Sequence, residues 1–361
     1  MKLSFTPYNL PLPKTLNFCN LQTSFHHQPQ NYNTRRLLHN MAPVPDPHRI
    51  YSTRTHYHET DFNRRQKDKI VVVMGATGTG KSRLSIDLAT RFFPSSEIIN
   101  CDKIQLYKGL DITTNKMPLH ERNDVIHHLL GQFETELSAS DFRNVASALI
   151  NDVVSRRKVP LLVGGSNSFI HALLAERFDT YTDPFSVSGP VSSSLRYACC
   201  FLWVDVSIPV LNEYLSRRVD EMLTSGMFEE LQSYFTSAAS ASLSFTGINK
   251  AIGVPEFEPY FRKYRLTSDQ ENEDDADLAR ERIECYARAV NEIKENTCQL
   301  AKRQVEKIIR LRSGGWDLKR LDATTAFRAV LAEDTAAGNE AWERNVVEPS
   351  MKVVKLFLAD E

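Results

Sequence analysis

No stretch of the sequence approaches the roughly twenty consecutive apolar residues that a membrane-spanning helix requires, so no membrane partner is expected. Cysteine is sparse. Cys19, Cys101, Cys199, Cys200, Cys285 and Cys298 never form a C-x-x-C pair. That spacing excludes a zinc site or a disulfide framework and leaves reduced, buried or incidental thiols. Charge of one sign is also missing: 44 Lys and Arg against 45 Asp and Glu give a formal net charge of -1. A protein whose affinity rests on a broad polybasic nucleic-acid surface would be far more basic. Acidic residues are absent altogether from residues 1–45, where Lys2, Lys14, Arg35 and Arg36 stand among many Ser, Thr, Asn, Gln and Pro. An acid-free, hydroxyl-rich, mildly basic leader without a secretory apolar core has the composition of an organelle-targeting segment.

What is present is an ordinary globular composition, 42% hydrophobic and 25% charged, in a chain of 361 residues long enough for an α/β core and a second subdomain. Residues 46–68 are polar and charged and read as a flexible linker, so the folded part is expected to begin near Lys69. Residues 70–74 (IVVVM) are β-branched and too short for a helix. Residues 82–92 place Leu84, Leu88, Ala89 and Phe92 on one helical stripe. Between them stands Gly75-Ala76-Thr77-Gly78-Thr79-Gly80-Lys81-Ser82, the G-x-x-x-x-G-K-S pattern of a phosphate-binding loop. Small residues let successive backbone N–H groups turn toward an oxyanion, and the helix that follows adds its own unsatisfied donors. Lys81 supplies a mobile positive charge, and the Ser82 hydroxyl is a candidate ligand for Mg²⁺.

Further apolar runs at 97–101, 159–163 and 197–204 alternate with helical patterns at 142–154, 167–174 and 210–223. This order predicts a P-loop NTPase-like, three-layer α/β fold with a parallel central sheet. Ligands of such sheets bind beyond the carboxyl ends of the strands, where Ser82, Asp102 and Gly164-Gly165 all fall. Residues 69–206 are read as this core. An inserted, mostly helical accessory region is expected at 207–310, with residues 279–312 as one or two long helices and an acidic block at 271–277 facing solvent. Residues 311–361 form a C-terminal extension, with 351–358 a late helix or edge strand.

Asp102 is the candidate catalytic acid–base group, able to accept a proton from a nucleophile or to hold a metal through water. Gln105 and Tyr107 are suited to orienting a planar or phosphate-bearing ligand. The residues alone leave three uses of the loop open. A small-molecule kinase with Asp102 as base is the default. A nucleotide-binding regulator is another. In the third, pyrophosphate is itself the leaving group while carbon is transferred, and the loop stabilises the charge that builds on it. Val204-Asp205 comes nearest to the second motif of a hydrolytic motor, but an Ile-Pro turn follows it.

The phosphate loop, Ile98-Ile-Asn-Cys-Asp102-Lys-Ile-Gln105-Leu-Tyr107, His127-His-Leu-Leu130 and Leu161-Leu-Val-Gly-Gly-Ser-Asn167 occur in that order. They are followed by Arg217-Arg218-Val-Asp220 through Gly226, Gly247 through Glu256, and Cys298-Gln-Leu-Ala-Lys302-Arg303-Gln. Together, over residues 69–312, these blocks resemble the isopentenyltransferase (IPP transferase) family, and within it the plant adenylate isopentenyltransferases of cytokinin synthesis. The resemblance implies transfer of a C5 unit from dimethylallyl diphosphate to the N6 amine of adenine in ATP, ADP or AMP, with Mg²⁺ and release of pyrophosphate. It makes Asp102 the group that accepts an N6 proton or polarises that amine, and Thr79, Lys81 and Ser82 the holders of the donor pyrophosphate. Arg218, Lys302 and Arg303 would add phosphate contacts from a helical lid. The other branch of the family modifies tRNA, and its eukaryotic members often carry a C-terminal Cys–His zinc finger; no Cys or His follows Cys298. A free nucleotide rather than tRNA is therefore expected, together with a monomer and a plastid location, residues 1–45 serving as the transit peptide.

Overall fold

The computed structural model describes residues 67–186, 189, 191–237, 246–264 and 276–360. The transit-peptide reading of 1–45, the linker through residue 66 and most of the acidic block at 271–277 lie outside the described residues.

The sheet has six strands among the described residues, all parallel, in the order β3-β2-β4-β1-β5-β6. They are β1 (Lys69–Met74), β2 (Ser96–Asn100), β3 (His127–His128), β4 (Val159–Gly164), β5 (Ala198–Asp205) and β6 (Leu318–Asp322). β1 lies near the centre because both its faces are apolar. Val71 and Val73 enter one buried cluster, and Ile70, Val72 and Met74 enter the other. A strand buried on both faces reads as a continuous apolar run, which is how residues 70–74 stand in the sequence.

Helices cover both faces. The Val71 side carries α1 (Lys81–Arg91) and α4 (Ile208–Thr224), with Leu84, Leu88, Leu211 and Leu215 in its cluster. The opposite side carries α2 (Ala139–Ser155) and α3 (Asn167–Leu174), with Phe142, Ile150, Phe169 and Leu173. α2 begins with a capping box in which Ser138 Oγ accepts from the Asp141 N–H and the Asp141 carboxylate accepts from the Ser138 N–H.

A third cluster is built by α4, α5 (Met227–Thr236), α6 (Val254–Lys263) and the first half of α7 (Ala276–Ser313), around Phe257, Tyr260 and Ile293. α7 is one continuous helix of 38 residues. It leaves the accessory cluster and returns to the sheet, where Ile308 and Leu311 join the α2–α3 side.

The C-terminal residues complete the α/β layers. β6 is the edge strand beside β5, and α8 (Thr324–Leu331), α9 (Thr335–Trp342) and α10 (Glu348–Ala359) close the Val71 side with Phe327, Trp342, Val347 and Val354. A π-helical turn at Glu343–Val347 joins α9 to α10. Of the two forms anticipated for 351–358 the chain takes the helix, and the edge strand lies outside that run, at 318–322. Residues 318–359 are part of the core layers rather than an appendage to them. Asp205, at the end of β5, is buried and its carboxylate accepts from Arg320 Nε of β6 at 2.7 Å. That contact gives it a structural partner in the sheet.

Candidate active site

The loop after β1 is shaped by three glycines that tolerate no side chain. A Cβ on Gly75 would lie 2.4 Å from the Val204 carbonyl oxygen, and one on Gly78 would lie 2.5 Å from Leu215 Cδ2. Gly80 is left-handed at φ 88° and abuts the Trp342 ring. The chain therefore turns tightly between β5, α4 and α9 before α1 starts at Lys81.

Within the loop, the Ala76 carbonyl collects two side-chain donors beside the Thr79 N–H at 3.4 Å. The Thr79 hydroxyl donates to it at 2.9 Å and the Lys81 ammonium at 2.6 Å. Thr79 and Lys81 are both buried, whereas Ser82 is exposed one position further on. Loss of water around the ammonium pushes the Lys81 pKa down to about 8; Asp102 opposes that shift and Arg218 adds to it. Arg218 reaches the same place from α4, its Nη1 lying 3.5 Å from where a Gly78 Cβ would stand. Burial also lowers the pKa of Arg218, against the opposing fields of Tyr214, Glu221 and Asp102.

Asp102 follows β2 and is held by short-range geometry. Its backbone N–H donates to Asn100 Oδ1 at 3.1 Å, and its Oδ1 accepts from the Ile104 N–H at 3.2 Å. Gly164 at the end of β4 makes this position accessible: a Cβ there would stand 2.3 Å from the Cys101 carbonyl carbon and 2.7 Å from the Asp102 nitrogen. Lys81, Arg218 and Asp102 thus come from three separate elements and act electrostatically on one another at the carboxyl ends of the strands.

The remaining residues singled out from sequence are placed differently. Gln105 Nε2 donates to the Thr114 and Asn115 carbonyls at 3.1 and 2.9 Å, so its amide braces the 114–115 turn. Tyr107 is 1% exposed and belongs to the interior: it follows the 3-10 turn Ile104–Leu106 in extended conformation, and its hydroxyl accepts from the Leu137 N–H at 3.4 Å. Lys302 and Arg303 are exposed on α7. Their neighbour Gln304 is the buried one, and its Oε1 accepts from the Thr77 N–H of the loop at 2.7 Å. Gln304 lies on the same face of α7 as Ala301 and Ile308, three residues before and four after. An amide interrupting an apolar helical stripe was its only signal in the sequence.

A second contact joins the Asp102 loop to the accessory region. Glu136 accepts from Lys103 Nζ and Lys250 Nζ, both at 2.8 Å, and from the Gly247 N–H at 3.2 Å. Those hydrogen bonds hold its carboxyl at about 2, below the usual range.

The geometry of the loop and its surroundings is that of a polyphosphate site with one carboxylate beside it. A model of the family described as IPP transferase matches residues 105–187 and 175–308. The chain belongs to the IPP transferase family. Among its relatives, adenylate isopentenyltransferase 1, chloroplastic, of Arabidopsis thaliana is 53% identical over 307 residues, covering 83% of this chain and 84% of that protein. Adenylate isopentenyltransferase 8, chloroplastic, of the same plant is 48% identical over 339 residues, 92% of this chain and 99% of that protein. A crystal structure of a eukaryotic dimethylallyltransferase acting on tRNA superposes with a TM-score of 0.63 at 24% identity, over 81% of this chain and 80% of that one. At that identity the likeness is one of fold, and it matches the parallel sheet flanked by helices seen in this IPP transferase.

Among the described residues no group of three or more His, Cys, Asp or Glu is placed to hold a metal ion, and no helix is long and apolar enough to cross a membrane. A hard cation of the Mg²⁺ type asks little of the protein, commonly one or two oxygen ligands with the rest from phosphates and water. The exposed Ser82 hydroxyl, next to Lys81, fits that demand.

Proposed function

We propose that this isopentenyltransferase moves the dimethylallyl group of dimethylallyl diphosphate onto the N6 amine of adenine in ATP or ADP, with AMP a further acceptor, in the synthesis of cytokinins. The observation that carries the reading is a phosphate loop with Lys81 buried within it and Arg218 reaching it at Gly78, while Asp102 follows β2 at the same, carboxyl end of the sheet. The identity to plant enzymes named adenylate isopentenyltransferases selects the reaction among those such a loop can serve.

In the reaction, the N6 lone pair attacks C1 of the allylic chain as the C1–O bond breaks. The electron pair leaves with the diphosphate, and N6 gives up one proton. Lys81 and Arg218, both stripped of much of their water, are positioned to stabilise charge that grows on the departing diphosphate. The loop N–H groups and Thr79 orient it. Asp102 accepts the N6 proton; the Ile104 N–H holds its carboxylate, and its own N–H, donating to Asn100 Oδ1, holds its backbone. Adenine N6 is a weak nucleophile, so alignment with C1 and exclusion of water matter more than the strength of the base. Mg²⁺, held by Ser82 and the diphosphate oxygens, would supply further neutralisation of the leaving group.

The near-zero net charge favours a free nucleotide over folded RNA, since RNA affinity draws heavily on cationic phosphate contacts. A monomer is the reading for the oligomeric state, and light scattering on the purified protein checks it. The protein is plastidial: the chloroplastic relatives agree with the leader-like composition of residues 1–45, and a cytosolic or mitochondrial signal from a fluorescent fusion would contradict this.

Incubation with labelled dimethylallyl diphosphate and ATP, ADP, AMP or an anticodon-stem RNA, read by mass spectrometry, tests the reaction. C5-modified ATP or ADP is expected. Modification of the RNA alone would assign the tRNA branch, and phosphate transferred to a second metabolite would assign a kinase.

A further inference from the structure

We infer that Gln304 is a positioning residue for the phosphate loop, fixing the single peptide plane from which the Lys81 ammonium hangs; this rests on the reading that the loop holds the donor's diphosphate.

Gln304 is 8% exposed on the inner face of α7. A buried amide is costly unless its donor and acceptor are both used. Here both are. Oε1 accepts from the Thr77 N–H at 2.7 Å, and Nε2 donates to the Gly165 carbonyl at 3.1 Å. The opposite amide orientation would set NH₂ against N–H and oxygen against carbonyl, losing both bonds, so only one orientation is compatible with its surroundings. The backbone is engaged as well: the Gln304 carbonyl accepts from Asn167 Nδ2 at 3.1 Å. A Cβ on Gly165 would stand 2.6 Å from Gln304 Nε2, so a side chain there would displace the amide.

The peptide unit that Gln304 grips is the one between Ala76 and Thr77. Its N–H goes to Gln304, and its C=O accepts the Lys81 ammonium at 2.6 Å and the Thr79 hydroxyl at 2.9 Å. Rotation of that one plane would undo these three contacts together, along with the longer one from the Thr79 N–H at 3.4 Å. Gln304 therefore sets the resting place of the residues that meet the diphosphate, without touching the diphosphate itself. The anchor is stiff, because α7 runs unbroken from the accessory cluster at Ala289, Val290 and Ile293 to the sheet cluster at Ile308 and Leu311.

The test compares Gln304→Ala and Gln304→Glu with the wild type, by steady-state kinetics, by calorimetric titration with inorganic pyrophosphate in Mg²⁺, and by thermal melting. For Gln304→Ala, KM for dimethylallyl diphosphate and the pyrophosphate Kd should each rise about tenfold, the scale of a lost buried hydrogen bond. KM for ATP should stay within about twofold. Gln304→Glu adds a signature that a merely structural role lacks. Its ionised form turns an oxygen toward the Gly165 carbonyl, whereas its protonated form restores one donor and one acceptor. Its pyrophosphate affinity should therefore recover toward wild type as the pH is lowered, and it supplies the test if Gln304→Ala fails to fold. Unchanged pyrophosphate affinity in a folded Gln304→Ala overturns the inference, as does a pH-independent Gln304→Glu or an equal rise in both substrates' KM. If the wild type transfers no prenyl group, the proposed reaction fails, and the pyrophosphate titrations still decide the role of Gln304.

Discussion

Trp342 of α9 sets the outer rim of its six-membered ring against Gly80 of the phosphate loop, so closely that a methyl group on Gly80 would come within 2.7 Å of the indole. The indole is itself fixed, its Nε1 donating to Asp87 at 3.0 Å and its ring lying under the Arg83 guanidinium at 4.8 Å. Residues more than 250 positions apart in the chain thus share one wall of the site. Gly80→Ala meets two obstacles, the left-handed φ of 88° and the ring, each costing about 1–3 kcal/mol. It should lower kcat/KM for the donor by about tenfold or more and reduce stability to urea. Adding Trp342→Leu should relieve only the steric part, so the double variant should be less impaired than the summed single effects. Strict additivity in that cycle would show that the contact is not what constrains the loop.

Asp102→Asn keeps the size of the side chain and the oxygen that accepts from the Ile104 N–H, but removes the anionic base. Donor affinity and circular dichroism should be near those of the wild type, with kcat lower by about 10²-fold or more. A wild-type kcat in the folded variant would return Asp102 to the role of a turn-forming residue after β2.

The elements around the loop were legible because each carries its own local pattern. The run at 70–74 is apolar on both faces, and the stripe through Leu84 and Leu88 has helical period. Leu318–Asp322 has neither: Lys319, Arg320 and Asp322 make it an edge strand by charge, and its burial follows from pairing with β5 and not from alternation. His127–His128 is only two residues long, too short for any periodicity to register. The candidate site divides in the same way. Lys81, Ser82 and Asp102 announce themselves by motif and strand end. Gln304 and Trp342 reach the loop across long sequence separations, and neither amide nor indole carries a local mark of what it touches.

Glu97 offers a stability test remote from the chemistry. Its side chain is 1% exposed at the base of β2, where it accepts from Arg156, from Lys158 Nζ at 2.6 Å and from His128 Nε2 at 2.8 Å. Burial by itself would raise the carboxyl, but the hydrogen bonds from Arg156, Lys158 and His128 more than offset it and hold the group well below the usual carboxylate range. A carboxyl depressed in the folded state stabilises the protein above its unfolded value of about 4.3, and the contribution fades as acid is added below that. Glu97→Gln should therefore cost about 3 kcal/mol at pH 7, toward the lower end for a broken buried pair because Arg156 and Lys158 are each about a third exposed. The difference from wild type should shrink as urea denaturation is repeated from pH 5 down to pH 3. A constant difference across that range would mean that packing, not charge, is what Glu97 supplies.

Lys81 couples binding and stability to pH in opposite senses. Its pKa is lowered from 10.5 to about 8 by desolvation, so the free enzyme holds the ammonium form fully only below pH 8. Diphosphate capture needs that form. Donor kcat/KM, which reports the free enzyme, should be level below pH 8 and fall about tenfold per unit above it. Lys81→Arg, charged throughout this range, should be slower but lose the alkaline fall. Stability runs the other way, because an ammonium that is buried costs more folded than unfolded. The cost is present below pH 8 and is relieved as pH rises from 8 to the unfolded value near 10.4. Lys81→Met should therefore raise the Tm of the ligand-free protein at pH 7, by an amount corresponding to about 3 kcal/mol at most. The gain should dwindle toward pH 10, while transfer activity is lost at every pH. A Lys81→Met protein that is no more stable than wild type at pH 7 would mean that the ammonium is well solvated in the free loop. The alkaline fall in kcat/KM would then have to come from another group.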